Sequence, residues 1–287
     1  MSLLWAMLSY QHSYHAGNHA DMLKHAVLAR LIARLMAKDK PLTYIDTHAG
    51  TALYRLDDER AKKTGEAKTG LERVLATPTG PEILESWLAL IRDTASRGAY
   101  PGSPEVARRL LRPGDRLELM ELHPAEHETL VRAMAADSRV HVHRRDGFAG
   151  LVALTPPDPR RGFCLIDPSY ETDDDWLRPA EAIVAAARKW PAGIFVLWYP
   201  VVPRRDGERD TLLEKLQNAG IPGTLRAELH VSRPEAGAEW GMAGSGLVIV
   251  RSPWKLDEDI ALVLAWLRGV LADDTGFTRL DWLVPPA

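Results

Sequence analysis

Apolar residues along the chain fall into short uninterrupted runs that alternate with longer stretches where they recur every three or four positions. "LTYID" (42–46), "RLELMEL" (116–122), "VHVHRRD" (140–146), "GFCLID" (162–167) and "GIFVLWYP" (193–200) are of the first kind, bounded by Gly, Pro or Asp. Such runs, separated by helical spacing, predict parallel strands covered on both faces. Helical spacing is clear in "NHADMLKHAVLARLIARLMAK", where Asn18 is placed as an N-cap, in "PAEHETLVRAMAAD" and in "RPAEAIVAAARKW". Pro124 and Pro179 then fall in first helical turns, which tolerate proline. "TLRAELHVS" and "GSGLVIVRSP" have no helix between them and predict an antiparallel pair closing the parallel sheet. "LDEDIALVLAWLRGVLADD" predicts an amphipathic helix near the C-terminus. From Leu56 to Gly98 no strand pattern occurs, yet "TGPEILESWLALIRDTASRG" is strongly helical. The expectation is an α/β chain in which 1–55 and 99–287 form one domain and 56–98 a small inserted helical subdomain.

Open α/β sheets bind ligands beyond the C-terminal ends of their strands, where the strand order reverses. The residues closing the apolar runs are therefore informative, and four of them are acids: Asp46, Glu121, Asp146 and Asp167. "DTHAG" follows the first run, with Gly50 allowing close approach of the backbone. It is not G-x-G-x-x-G, which weighs against a pyrophosphate cradle and NAD and towards a nucleoside without phosphates. Glu121 is placed to accept from ribose hydroxyls, the inserted segment accounting for its distance from the turn. Asp146, with Gly147, is placed to accept from an adenine amino group. Each acid alone could cap the next helix; together they point to S-adenosylmethionine.

The run "CLIDPSYE" ends in a rigid corner. Pro168 fixes its own φ and pushes Asp167 into an extended conformation, so the carboxylate is aimed with little freedom. A carboxylate and the Pro168 carbonyl that accept both hydrogens of an exocyclic amine draw its nitrogen towards tetrahedral geometry. The lone pair is then free to attack a methyl sulfonium. Tyr170 offers a face for stacking an unpaired base, worth roughly 1–3 kcal/mol, once the base has left its helix or loop.

Composition narrows the class. The chain has 287 residues, 46% of them hydrophobic, which suits one core with an embellishment. Its single cysteine, Cys164, lies in an apolar run as a core residue, rules out an internal disulfide framework and fits a reducing cytoplasm. "MSLLWAML" lacks the basic leader of a signal peptide, and no apolar stretch reaches the ~18 residues that cross a bilayer. Neither membrane insertion nor export is expected. A net charge of −3 argues against a positive coat for wrapping a duplex. Arginines nevertheless cluster in "ARRLLR", "HRRDG", "DPRRG" and "VPRRDGER", so a basic patch would be local, with solvated surface as the bland alternative. His15 and His19 lie four apart, but no H-E-x-x-H or cysteine pair accompanies them, and no metal site is expected. "GMAGSG" (241–246) reads as a hairpin turn in preference to a phosphate loop.

"DPSY" resembles the D-P-P-Y motif of amino-methyltransferases acting on adenine. Taken together, "MLSYQHSYHAGNHADMLKH", "DTHAG", "YPGSP", "ELHP", "DGF" and "WYPVV" resemble the RlmJ family of 23S ribosomal RNA adenine-N6 methyltransferases, from about Met7 to the C-terminus. The resemblance implies a class I S-adenosylmethionine-dependent methyltransferase fold, Rossmann-like, with a helical insertion. It implies Asp167 as the catalytic acceptor of amine protons, and His25, His48, Ser103, Glu121, Asp146 and Gly147 as the lining of the S-adenosylmethionine site. Tyr10 would contact the RNA, with His12 and Lys24 close to the target adenine held by Pro168 and Tyr170. The implied partner is 23S ribosomal RNA, with no obligate protein partner. Ser169 departs from the family by replacing the second proline, which loosens the loop by on the order of 0.4–1 kcal/mol. "AGTALY" is less glycine-rich than the family pattern, and residues 1–6 read as an extension without an assigned role. Three other readings are a metal-dependent hydrolase, a non-catalytic RNA-binding relative, and an amino-methyltransferase acting on DNA adenine or a protein amide. The lack of a separate DNA-reading domain disfavours DNA.

Overall fold

A computed structural model describes residues 16–57, 66–170, 174–233 and 241–287. Helix α1 (His19–Met36) opens the described chain, and the Asn18 side chain caps it by accepting from the Ala20 and Asp21 N–H groups. Strand β1 (Thr43–Asp46) is buried throughout. Strands β2 (Leu53–Arg55) and β3 (Ala99–Pro101) pair with each other in a small antiparallel sheet, and helices α2 (Leu71–Ala76) and α3 (Glu85–Ser96) lie between them in sequence. The chain continues through α4 (Ser103–Leu110), β4 (Arg116–Met120), α5 (Pro124–Met134), β5 (Val140–His143), α6 (Gly147–Leu154) and β6 (Gly162–Ile166). It ends with α7 (Asp174–Lys189), β7 (Ile194–Val201), α8 (Asp206–Asn218), β8 (Thr224–His230), β9 (Gly244–Val250), α9 (Leu256–Leu271) and β10 (Phe277–Val284).

The main sheet has the order β10-β8-β9-β7-β6-β1-β4-β5. Strands β5, β4, β1, β6 and β7 run parallel. β9 inserts antiparallel between β7 and β8, and β10 pairs antiparallel with β8. From β1 the chain moves outward through β4 to β5, then crosses back to β6 on the opposite side. The order therefore reverses between β1 and β6, where such sheets open a crevice.

Alternation along the central strands sends side chains to two cores. Tyr44, Phe163 and Leu165 join one cluster with Leu23, Leu31, Ile260 and Leu264 of α1 and α9. Ile45, Cys164 and Ile166 face the other, with Trp176, Trp190 and Leu212 of the α7–α8 side. Each fully buried large apolar side chain contributes about 1.5–3 kcal/mol. Val74, Trp87 and Ile91, from the segment read as an insertion, pack within the same cluster as α1. Burial pushes the Cys164 thiol up, which suits its place in the core.

The structure corrects the sequence reading at several points. Strands β2, β3 and β10 were not expected. The first two are three residues long, and β10 is a half-polar strand in which Leu280 and Trp282 alternate with Arg279 and Asp281. Pro179 does not open its helix: residues 174–178 extend α7 by more than a turn, so the proline lies inside it. Within "GMAGSG", residues 244–246 belong to β9. A Cβ on Gly246 would lie 2.2 Å from the Tyr199 ring, so this glycine makes room for an aromatic in the sheet.

Helices α1 and α9 are joined by Asp259, which accepts from the guanidinium groups of Arg30 and Arg34 at 2.7–3.2 Å. Replacing Asp259 by Ala leaves Arg30 and Arg34, one turn apart on α1, without their shared acceptor in a partly buried contact. We expect a loss of about 2–3 kcal/mol, read as a lower urea midpoint with an unchanged m-value.

Candidate active site

A cleft of about 800 Å³ opens over the C-terminal ends of the parallel strands, at the point where their order reverses. Its size is in the range of small-molecule and cofactor sites. Three of the four strand-end acids line it: Glu121, Asp146 and Asp167. The fourth, Asp46, lies beneath it, fully buried. Asp46 accepts from the Tyr44 hydroxyl at 2.5 Å, the Ser103 hydroxyl at 2.7 Å and the His48 N–H at 3.2 Å. It thus locks the turn after β1 to the start of α4. Burial raises its pKa to about 6, against the hydrogen bonds from Tyr44 and Ser103.

The turn after β1 needs its glycine. Gly50 has φ +60°, and a Cβ there would lie 2.1 Å from the Tyr54 hydroxyl. The Gly50 N–H donates to Glu121 Oε2 at 2.9 Å, while the His123 N–H donates to Oε1 at 2.7 Å. Burial pushes the Glu121 carboxyl up, and these N–H groups oppose it. Each oxygen keeps a second lone pair, so Glu121 is an acceptor held rigidly from behind. His48 lies on the same side, its Nδ1 2.7 Å from the Thr47 hydroxyl and its ring edge-on to Phe148. Burial lowers its pKa to about 4, so the ring is neutral at physiological pH.

Asp146 caps α6 by accepting from the Ala149 N–H at 2.8 Å, and its other oxygen takes Arg178 at 2.9 Å. Burial would raise its pKa, but the Ala149 N–H and the Arg178 guanidinium outweigh burial and hold it low. The bland capping role and a place in the cleft therefore coexist in one residue. Gly147 packs against the turn after β1, where a Cβ would lie 2.1 Å from the Thr47 carbonyl oxygen. His25 lines the cleft with its Nδ1 2.6 Å from the Tyr100 hydroxyl.

At the opposite wall, Asp167 Oδ2 accepts from Lys24 Nζ at 2.5 Å, and Lys24 also meets Asp21 at 2.9 Å. Burial acts against the Lys24 ammonium, but Asp167 and Asp21 outweigh it and hold its pKa above the ordinary lysine value. The ammonium lies 5.7 Å from the centre of the Trp198 ring. Among the described residues no donor reaches Asp167 Oδ1 or the Pro168 carbonyl. Tyr170 sits at φ +53°. Its hydroxyl donates to the Trp198 carbonyl at 2.8 Å, and its ring packs 4.5 Å from that of Trp176. These contacts anchor the corner where Ser169 supplies no ring.

The cleft thus gathers Lys24, His25, His48, Ser103, Glu121, Asp146, Gly147, Asp167, Pro168 and Tyr170. Tyr10 and His12 lie outside the described residues, as does His15. Sequence reasoning passed over Asp21, Trp176 and Trp198, which also line it. Asp21 was findable as the acid one helical turn before Lys24. Trp198 lies within "WYPVV" without an assigned role, and Trp176 was not singled out. Among the described residues, no group of three or more His, Cys, Asp or Glu is placed to hold a metal ion, and no helix is long and apolar enough to cross a membrane.

A mostly parallel sheet whose order reverses beside an acid-lined cleft, without a phosphate-binding glycine fingerprint, is the Rossmann-like α/β architecture of class I methyltransferases. The family model described as "Ribosomal RNA large subunit methyltransferase D, RlmJ" matches residues 39–284, and the chain belongs to that family. It is 42% identical over 283 residues to ribosomal RNA large subunit methyltransferase J of Escherichia coli, covering 97% of this chain and all of that protein. The Haemophilus influenzae protein of the same name is 38% identical over 284 residues, with the same coverage. The crystal structure of protein LPL1258 from Legionella pneumophila superposes with a TM-score of 0.86 at 35% identity, covering 93% of this chain and 98% of that one.

The buried Asp46 generates a pH prediction. In the native protein it keeps its proton up to about pH 6, whereas the unfolded chain releases it near pH 4. The native state binds the extra proton between these limits, so stability falls as pH rises through that window, by up to about 3 kcal/mol. Urea midpoints of the wild type and Asp46→Asn should shift relative to each other in the variant's favour between pH 4 and pH 7.

Proposed function

We propose that the protein transfers a methyl group from S-adenosylmethionine to N6 of a specific adenine in 23S ribosomal RNA, in the cytoplasm. The single observation that carries this reading is the Asp167–Pro168 corner. It faces the same cleft as Glu121 and Asp146, with one carboxylate oxygen fixed by Lys24 and the other open.

The donor set suits S-adenosylmethionine. Glu121 offers oxygens to ribose hydroxyls, Asp146 and the Gly147 backbone stand where an adenine edge would be read, and His25, His48 and Ser103 close the remaining side. Gly50 and Gly147 let the backbone on this wall pack closely, against the Tyr54 hydroxyl and the Thr47 carbonyl. When bound, S-adenosylmethionine would supply an electrophilic methyl group, its carbon–sulfur bond breaking to leave a neutral thioether as the carbon–nitrogen bond forms. The chain's residues act on the nucleophile. Asp167 Oδ1 and the Pro168 carbonyl accept the two hydrogens of a flipped adenine's amine and hold its lone pair in the cleft. The proton that the nitrogen loses is held at Asp167 before passing to water. Lys24 keeps the carboxylate from rotating, and Tyr170 and Trp198 supply the aromatic wall against which the base stacks. Tyr10 and His12 belong to this reading as further RNA contacts. Most of the catalysis is positioning and electrostatics.

The test is incubation of purified protein with labelled S-adenosylmethionine and an unmethylated transcript of 23S ribosomal RNA, followed by nuclease digestion and mass spectrometry. N6-methyladenosine at one position is expected. Labelling confined to DNA or to protein amides would favour the alternative substrates, and binding without any labelling would favour a non-catalytic relative. Asp167→Asn should lower kcat by about 10²–10³-fold while leaving the Kd for S-adenosylmethionine within about threefold, measured by calorimetry.

A further inference from the structure

The four arginine clusters of the sequence are sorted by the fold into two groups. Arg108, Arg109 and Arg112 form ion pairs with Glu105, Asp93 and Asp115. Arg161 donates to the carbonyls of Leu35 and Lys40, at the end of the sheet where the parallel strands begin. These arginines hold the fold together. The other two clusters sit at the opposite end, on either side of the cleft. Arg144 and Arg145 follow β5 directly, are exposed, and have no ion-pair partner among the described residues. Arg204 and Arg205 follow β7 and line the cleft beside Trp198, with Arg205 also meeting Glu208 at 2.7 Å.

β5 and β7 are separated by four strand spacings, roughly 19 Å at about 4.8 Å each. The target-holding corner at the end of β6 lies between them. In a chain with net charge −3, general attraction to nucleic acid is not available, and phosphate contacts have to be local. We propose that Arg144–Arg145 and Arg204–Arg205 are the two abutments of an RNA track. The strand crosses the mouth of the cleft, with phosphates on one side of the flipped nucleotide held by the β5 pair and those on the other side by the β7 pair. A phosphate at Arg205 shares the guanidinium with Glu208 or displaces it. Because these contacts carry no base information, the track sets grip and register while the cleft selects the base.

This inference rests on the RNA-methyltransferase reading, and RNA binding is therefore measured separately from methyl transfer. Arg144→Ala/Arg145→Ala and Arg204→Ala/Arg205→Ala proteins are compared with wild type by filter binding to the 23S transcript across salt concentrations. Each pair should lower the slope of log K against log salt by about 0.7 for every phosphate no longer neutralised and raise the KM for RNA about tenfold. The Kd for S-adenosylmethionine and kcat at saturating RNA should be unchanged. Arg160→Ala, an exposed arginine at the far end of the sheet, should leave the slope alone. Wild-type slopes in both double variants, or an equal decrease with Arg160→Ala, would overturn the track. A wild-type protein that binds the transcript but never methylates it would instead overturn the functional reading.

Discussion

A lysine ammonium buried between two carboxylates supplies their counter-charge and holds both in one place. Lys24 is almost completely buried against Asp21 and Asp167, and in such surroundings removing the lysine would leave two carboxylates together without a counter-charge. The triad couples two distant parts of the chain. Asp21 also accepts from the Gly17 N–H, so the position of the ammonium follows from how α1 begins. Asn18 fixes that beginning. The aim of the Asp167 carboxylate is therefore set by the first turn of a helix more than a hundred residues away in sequence.

The same corner shows how a loop tolerates a missing proline. With Ser169 in place, the backbone after Pro168 gains freedom that would blur the carboxylate's direction. Tyr170 removes that freedom by other means, with its hydroxyl tied to the Trp198 carbonyl and its ring wedged beside Trp176. Its positive φ costs on the order of 1 kcal/mol for a residue with a bulky side chain. Tertiary contacts hold it there. An aromatic that lines the cleft thus also braces the loop.

Much of the fold was legible because the central parallel strands β1, β6 and β7 are nearly continuous apolar runs, a pattern produced by burial on both faces. The antiparallel closure by β9 and the capping by Asn18 followed from local chemistry for the same reason. What escaped was short or half-polar. β2 and β3 are too brief to show a period, and β10 alternates polar and apolar residues beyond the last helix. Around the cleft, the acids stood out because four of them close apolar runs, although capping also suits them and Asp146 does cap a helix. The Asp–Pro corner stood out because its backbone is stiff. Asp46 was visible but could not be told from a ligand-facing acid, since only its neighbours Tyr44 and Ser103 turn it inward. Trp198 lies within "WYPVV" but received no role, Trp176 lies in a helix that shows only its apolar spacing, and the arginine clusters could be divided only once the two ends of the sheet were known.

Strand β10 has a consequence for how the protein is made. It pairs along the whole of β8, across more than forty intervening residues. Until it leaves the ribosome, the outer ladder of β8 has no partner and presents unpaired N–H and C=O groups to neighbouring nascent chains. Translation of the final segment then replaces that edge with β10, whose Arg279 and Asp281 are charges of the kind that discourage pairing with another chain. Truncation before Phe277 would leave the buried strand β8 as a sticky edge on an otherwise assembled cleft.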